Sequence, residues 1–160
     1  ARSPWTWSEP EGCLRARSRR QLRSMDSGFR EVPHTADVAL EVWAPDLPEL
    51  LAQAGRGLFS LATEIAPGAK AEDHREVRLS APDDESLLVD WLNELLALYD
   101  ENGEAYLTFD VALTGPHDVV ARLGATDAYR ARKAVKAATF HDLRVHRDSE
   151  GFRTVVVFDV

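Results

Sequence analysis

The amino-acid sequence predicts an α+β protein: a two-layer sandwich in which two main helices pack on one mixed or antiparallel sheet of about six strands. Three observations carry this. Two segments place apolar residues at helical spacing behind an acidic start. Several others alternate apolar and polar residues with the strand period of two. The last third of the chain reads almost wholly as strands, so helices and strands are only partly interleaved.

Regular patterning begins at Gly28. From Val38 to Trp43, Val38, Leu40 and Val42 face one way and Asp37, Ala39, Glu41 and Trp43 the other, the mark of a strand with one buried side. Asp46-Leu47-Pro48-Glu49 then opens a helix, with Asp46 as the cap and Pro and Glu in the first turn. Leu47, Leu50, Leu51, Ala54, Leu58 and Leu61 form its apolar face. Gly55 and Gly57 weaken that helix and suggest close packing against a neighbour, and Pro67-Gly68 ends the unit. His74 to Ala81 is a second strand, with Val77 and Leu79 inward.

Pro82-Asp83-Asp84-Glu85 opens the second helix, its acids suited to the helix dipole. Leu87, Leu88, Trp91, Leu92, Leu95, Leu96 and Tyr99 make a wide apolar stripe, and Asn102-Gly103 stops it. Ala105, Leu107, Phe109, Val111 and Leu113 then alternate with Tyr106, Thr108 and Asp110. Gly115-Pro116 turns the chain into a return strand over His117 to Leu123. Gly124 to Arg132 reads as polar and irregular, and Lys136 to Val145 as another strand. Asp148-Ser149-Glu150-Gly151 is a turn, and Phe152 to Val160 an apolar final strand.

A chain of 160 residues fits one domain, here 28–160, and buries a sizeable core without staples. Charge divides it. Residues 1–27 carry six Arg against Glu9, Glu11 and Asp26, and residues 28–160 hold the other 13 bases and 24 acids, a net of −11 in a chain at −8. The first part has no apolar period and reads as a disordered Arg-rich tail or as a mis-assigned start ahead of an initiator at Met25. An acidic body repels a phosphate backbone, so strong direct nucleic-acid binding is not expected; it favours a basic partner or a cation. No apolar run approaches the 20 or so residues of a membrane span. The single cysteine, Cys13, excludes an intrachain disulfide and a thiolate zinc site. Phosphate-cradling loops, dinucleotide fingerprints and nucleophile elbows are absent from the sequence.

Three clusters remain as candidates for chemistry. His34-Thr35-Ala36-Asp37 precedes a strand and, read alone, is a turn. Asp159 stands next to the terminal residue of an apolar strand, so its carboxylate and that of Val160 lie close together. Read alone, Asp159 is a solvated end residue. If the Asp37 strand end lies beside it, three anions meet, and they repel one another unless a cation sits between them. Oxygen ligands without Cys suit Ca²⁺, Mg²⁺ or Mn²⁺. The third cluster, Lys136-Ala137-Ala138-Thr139-Phe140-His141, puts His141 with Thr139, Leu143 and Val145 on one face and Lys136, Phe140 and Asp142 on the other. Arg130, Arg132, Lys133 and Lys136 form a short basic patch, a solvated surface or a phosphate seat.

Taken in order, these pieces resemble the archease family. The likeness runs from Phe29 and His34-Thr35-Ala36-Asp37-Val38-Ala39-Leu40 through Leu87-Leu88-Val89-Asp90-Trp91-Leu92-Asn93-Glu94-Leu95-Leu96. It continues in Val135-Lys136-Ala137-Ala138-Thr139-Phe140-His141-Asp142-Leu143 and ends in Asp159-Val160. The resemblance implies a cytoplasmic protein that is not an enzyme but a cofactor of the tRNA-splicing RNA ligase, promoting its guanylylation by GTP and its multiple turnover. It places a divalent-metal site on Asp37, Asp159 and Val160, and functional positions at His34, Lys136 and His141. One departure stands out: Gly124 is followed by Ala125 where the family commonly has Glu, with Asp127 nearby. A metal-dependent phosphohydrolase using Asp37, Asp159 and His141 is the rival reading, and an RNA-binding module using the Arg tail a third.

Overall fold

A computed structural model describes residues 26–34 and 37–160. The Trp and Arg residues of the tail, Cys13 and Met25 lie outside the described residues, as do Thr35 and Ala36. The chain runs β1 (Gly28–Val32), β2 (Val38–Ala44), α1 (Leu47–Ala62), β3 (Thr63–Ile65), β4 (Asp73–Ser80) and α2 (Asp84–Asn102). It continues through β5 (Ala105–Gly115), β6 (Asp118–Thr126), β7 (Tyr129–Ala131), β8 (Ala137–Thr139), β9 (His146–Asp148) and β10 (Gly151–Asp159). The class is α+β as expected. The strands, all antiparallel in their pairings, are shared among three sheets rather than joined in one: β1-β2-β10-β8 with β9 also on β10, β4-β6-β5, and the pair β3-β7.

Both helices begin where their caps dictate. Asp46 Oδ1 accepts from Glu49 N–H at 2.9 Å and Asp83 Oδ1 from Ser86 N–H at 2.7 Å. Gly103 closes α2 in the left-handed region, at φ 63°. The apolar stripes are buried as their spacing predicts: Leu50, Leu51 and Leu58 of α1 and Leu87, Leu88, Trp91, Leu92 and Leu95 of α2 are inaccessible or nearly so. They meet Leu40 and Val42 of β2 and Val156 and Phe158 of β10 in one core. Trp91 Nε1 donates to the Leu51 carbonyl at 2.8 Å, pinning α2 to α1. Gly55 and Gly57 sit against Phe109 and Leu40, the close packing that the two glycines suggest.

α1 ends at Ala62, one residue past the last position of its apolar face, and the residues leading to Pro67 supply the short strand β3. Three expectations are corrected. Residues 124–132 are not irregular: β6 continues to Thr126, and β7 pairs with β3. Tyr106 does not share an exposed face with Thr108 and Asp110. The β5–β6 register slips between Tyr106 and Thr108, and this bulge leaves both Ala105 and Tyr106 inside. The stretch from Lys136 to Val145 is strand only over 137–139. Asp142, at φ 52°, turns the chain, so the alternating faces assigned to His141, Leu143 and Val145 do not extend past Thr139.

Candidate acidic site at the end of the central strand

The site is built by register. β10 runs antiparallel to β2 with Phe158 opposite Val38 as the last paired rung, so Asp159 and Asp37 each lie one residue beyond it, at neighbouring strand ends. Residues directly opposite share a face, and their neighbours point the other way. Phe158 and Val38 are buried in the core, and Asp159, next along β10, projects from the opposite face; Asp37 sits in a bend just ahead of β2. On its other side Asp159 pairs with Ala137 of β8, and its carbonyl accepts from the Lys136 N–H at 2.8 Å. The sheet thus gathers the strand end carrying Asp37, the end carrying Asp159 and Val160, and the start of β8 with Lys136.

Two histidines stand over this end. The His34 ring meets the His141 ring edge-on, centroids 5.8 Å apart at 88°. His34 Nδ1 is 3.9 Å from Asp37 Oδ2, too far for a hydrogen bond. Among the described residues it is a buried side-chain nitrogen with no hydrogen-bond partner. Such an atom is costly to leave unsatisfied. His141 is exposed, with Nε2 3.3 Å from Asp142 Oδ2 and its backbone N–H donating to Thr139 Oγ1 at 3.3 Å. The turn at Asp142, not strand alternation, therefore brings His141 to His34.

The basic patch divides. Arg130 pairs with Glu64 at 2.7 Å, Arg132 donates to the Ser60 carbonyl at 2.9 Å, and Lys133 lies 3.6 Å from Glu31. Lys136 makes no ion pair or side-chain hydrogen bond among the described residues. It lines a groove of about 740 Å³ floored by Leu96, Tyr99 and Val135. Ala125 is buried within β6, and Asp127 borders a different depression, with Glu64, Pro67 and Tyr129. Asp127 does not therefore join the Asp37 end.

Among the described residues, no three His, Cys, Asp or Glu side chains converge as a metal-binding group. Asp37 has the unsatisfied His34 nitrogen 3.9 Å away, and Asp159 stands at the neighbouring end of β10; oxygen donors of this kind suit a hard divalent cation, but the three side chains do not converge as a ready-made site. No sequence pattern singles out Asn93, whose side chain reaches β8 from α2: its Oδ1 accepts from Ala138 N–H at 2.8 Å. The only signal is a lone amide within the Trp91–Leu96 stripe.

The Archease protein family (MTH1598/TM1083) matches over residues 29–160. The protein archease of Archaeoglobus fulgidus is 32% identical over 136 residues, covering 82% of this chain and 98% of that protein. The protein archease of Methanosarcina acetivorans is 28% identical over 147 residues, covering 87% of this chain and all of that one. Among solved structures, protein 1598 of Methanobacterium thermoautotrophicum superposes with a TM-score of 0.70 at 27% identity, covering 83% of this chain and 99% of that one. An archease from Thermotoga maritima superposes with a TM-score of 0.57 at 25% identity, covering 82% and 96%.

Proposed function

The chain belongs to the archease family, and on that premise we propose that it is a non-catalytic protein cofactor of a tRNA-splicing RNA ligase, promoting guanylylation of the ligase by GTP and so its repeated turnover. The observation that supports this reading is the β2–β10 register, whose last rung, Val38 with Phe158, leaves the strand ends carrying Asp37 and Asp159–Val160 side by side. Asp37, Asp159 and the Val160 carboxylate would hold a divalent cation, Ca²⁺, Mg²⁺ or Mn²⁺. A cation there supplies positive charge where the phosphates of a nucleotide must be neutralised.

The chain's own residues do the rest. The −11 body, far from neutral, steers the acidic end toward a basic surface on the ligase and speeds encounter. His34, packed edge-on against His141, orients the Asp37 end. Lys136, without an ion pair among the described residues, offers a cation to an anionic group at the mouth of the groove beside α2. The reading places the protein in the cytoplasm, and no helix among the described residues is long and apolar enough to cross a membrane.

The test is multiple-turnover ligation of an RNA ending in a 2′,3′-cyclic phosphate, with ligase, GTP and this protein. Asp37→Ala and Asp159→Ala each abolish the stimulation while leaving the ligase's own single turnover intact. Full stimulation by both variants refutes the reading. Generic phosphoesters with Mn²⁺ and no ligase are not hydrolysed; turnover in that arm would put the phosphohydrolase in its place.

A further inference from the structure

β8 is only three residues long, and it lies at the edge of its sheet. β10 pairs with it on one side through Ala137, Ala138 and Thr139. An edge strand leaves every second N–H and C=O pointing outward, unpaired. Here the outward pair belongs to Ala138, which is itself buried, so water cannot serve it freely.

Asn93 of α2 fills that gap. Its Oδ1 accepts from the Ala138 N–H at 2.8 Å, and its Nδ2 donates to the Ala138 carbonyl at 3.4 Å. A side-chain amide carries donor and acceptor in one plane, as a peptide does, so one residue stands in for a neighbouring strand. The helix that presents it is well held. Trp91, two residues earlier, is buried and bonded to α1, and the helix is capped at both ends.

From β8 the restraint passes straight to the acidic end. Ala137 is the pairing partner of Asp159, and the Lys136 N–H donates to the Asp159 carbonyl. We propose that Asn93 is a positioning residue of the acidic site: by closing the open edge of β8 against α2, it fixes the backbones of Lys136 and Asp159 where the site needs them. This rests on reading the Asp37–Asp159 end as the functional site.

Two variants of the full chain test it. Asn93→Leu keeps the branched shape of the side chain, does not weaken the helix and removes both hydrogen bonds, and Asn93→Asp keeps the acceptor that makes the shorter one. The readouts are amide hydrogen exchange, without metal, and titration with Ca²⁺ alone. In Asn93→Leu the Ala138 and Lys136 amides exchange about tenfold faster or more, while β6 amides such as Leu123, which report global opening, change by less; Ca²⁺ binding weakens about tenfold. Asn93→Asp keeps near-native exchange at Ala138. A residue that served only helix packing would shift β6 and β8 amides together and leave Ca²⁺ affinity alone. That pattern, or native exchange at Lys136 in Asn93→Leu, overturns the proposal. Asp159→Ala separates the two claims: if it binds Ca²⁺ like the native chain, the metal reading fails, while the exchange data still decide the role of Asn93.

Discussion

Replacing Gly55 with Ala should destabilise this protein, although the same change stabilises most helices. A Cβ on Gly55 would lie 2.7 Å from Phe109 Cε1, 3.0 Å from Cζ and 3.1 Å from Cδ1. Carbon atoms pack at about 3.5–4.0 Å, so the ring is overlapped along a whole edge, by about 0.8 Å or more at the nearest atom. The ring has little room to retreat. It stacks on Phe59 at 6.4 Å, meets the Trp91 ring at 6.3 Å, and lies under the Arg56 guanidinium at 5.9 Å. Alanine gains about 1 kcal/mol of helix propensity over glycine. Overpacking a filled core costs about 1–3 kcal/mol, and a rigid ring held on several sides belongs in the upper half of that range. The net effect is a loss of about 1 kcal/mol. With a urea dependence of about 2 kcal/mol/M, the unfolding midpoint falls by about 0.5 M. Urea titration followed by tryptophan fluorescence reads it, since Trp91 is buried beside Phe109. In a Phe109→Leu background the added methyl has space, and Gly55→Ala becomes neutral or stabilising, a coupling of at least about 1 kcal/mol. A midpoint at or above the native value in the single variant refutes this account of α1 against β5.

Two further predictions concern pH and the end of the central strand. The Arg75 guanidinium, bonded to Glu104 at 2.6 Å, holds that carboxyl below the usual range, and burial pushes the Tyr106 phenol up to about 12. A depressed carboxyl stabilises the fold above its ordinary pKa of about 4.3, and that contribution is lost as pH falls through the lower folded value. A raised phenol stabilises below about pH 10 and is lost as pH climbs toward 12. Glu104→Gln should therefore flatten the acid side of a plot of melting temperature against pH, and Tyr106→Phe the alkaline side; unchanged slopes would show that neither group is linked to folding. Extending the chain beyond Val160 by a short Gly-Ser peptide removes the carboxylate next to Asp159, so Ca²⁺ affinity measured by calorimetry should drop, whereas the same peptide at the other end should leave it alone. Equal affinity for the two proteins takes Val160 out of the site.

What could be read from the residues and what could not differ by the range of the forces involved. Asp46, Asp83 and Gly103 act within one helical turn, and Leu47–Leu61 and Leu87–Leu96 declare their buried faces by spacing alone, so both helices were legible nearly to the residue. Strands with an alternating face, such as Val38–Val42, were equally plain. β3, β7 and β8 are three residues each, too short for a period, and exist through their partners. The slip at Leu107 is a property of the β5–β6 ladder, not of the alternation that runs through it, which is why Tyr106 pointed the wrong way on paper. Two acids at two strand ends are apparent in the sequence, but that these ends are neighbours depends on a pairing between residues 38 and 158 that no local rule dictates. The role of Asn93 has no local signal, because an amide in a helix carries no periodic signature and its partner lies 45 positions away.

The place of β10 also bears on how the chain comes to be folded. It lies between β2 and β8 and pairs with β9 as well, yet more than 100 residues separate it from β2. Such long-range pairing slows folding, because the loop must close before the contact is gained. At roughly 5–20 residues per second, a ribosome spends about 5–20 s between making β2 and making β10. Throughout that interval β2 lacks the strand that covers one of its edges, and any β1–β2 pair that forms presents that edge as a template for mispairing with another nascent chain. Yield in the cell should thus depend on holding chaperones during synthesis more than on the stability of the finished molecule.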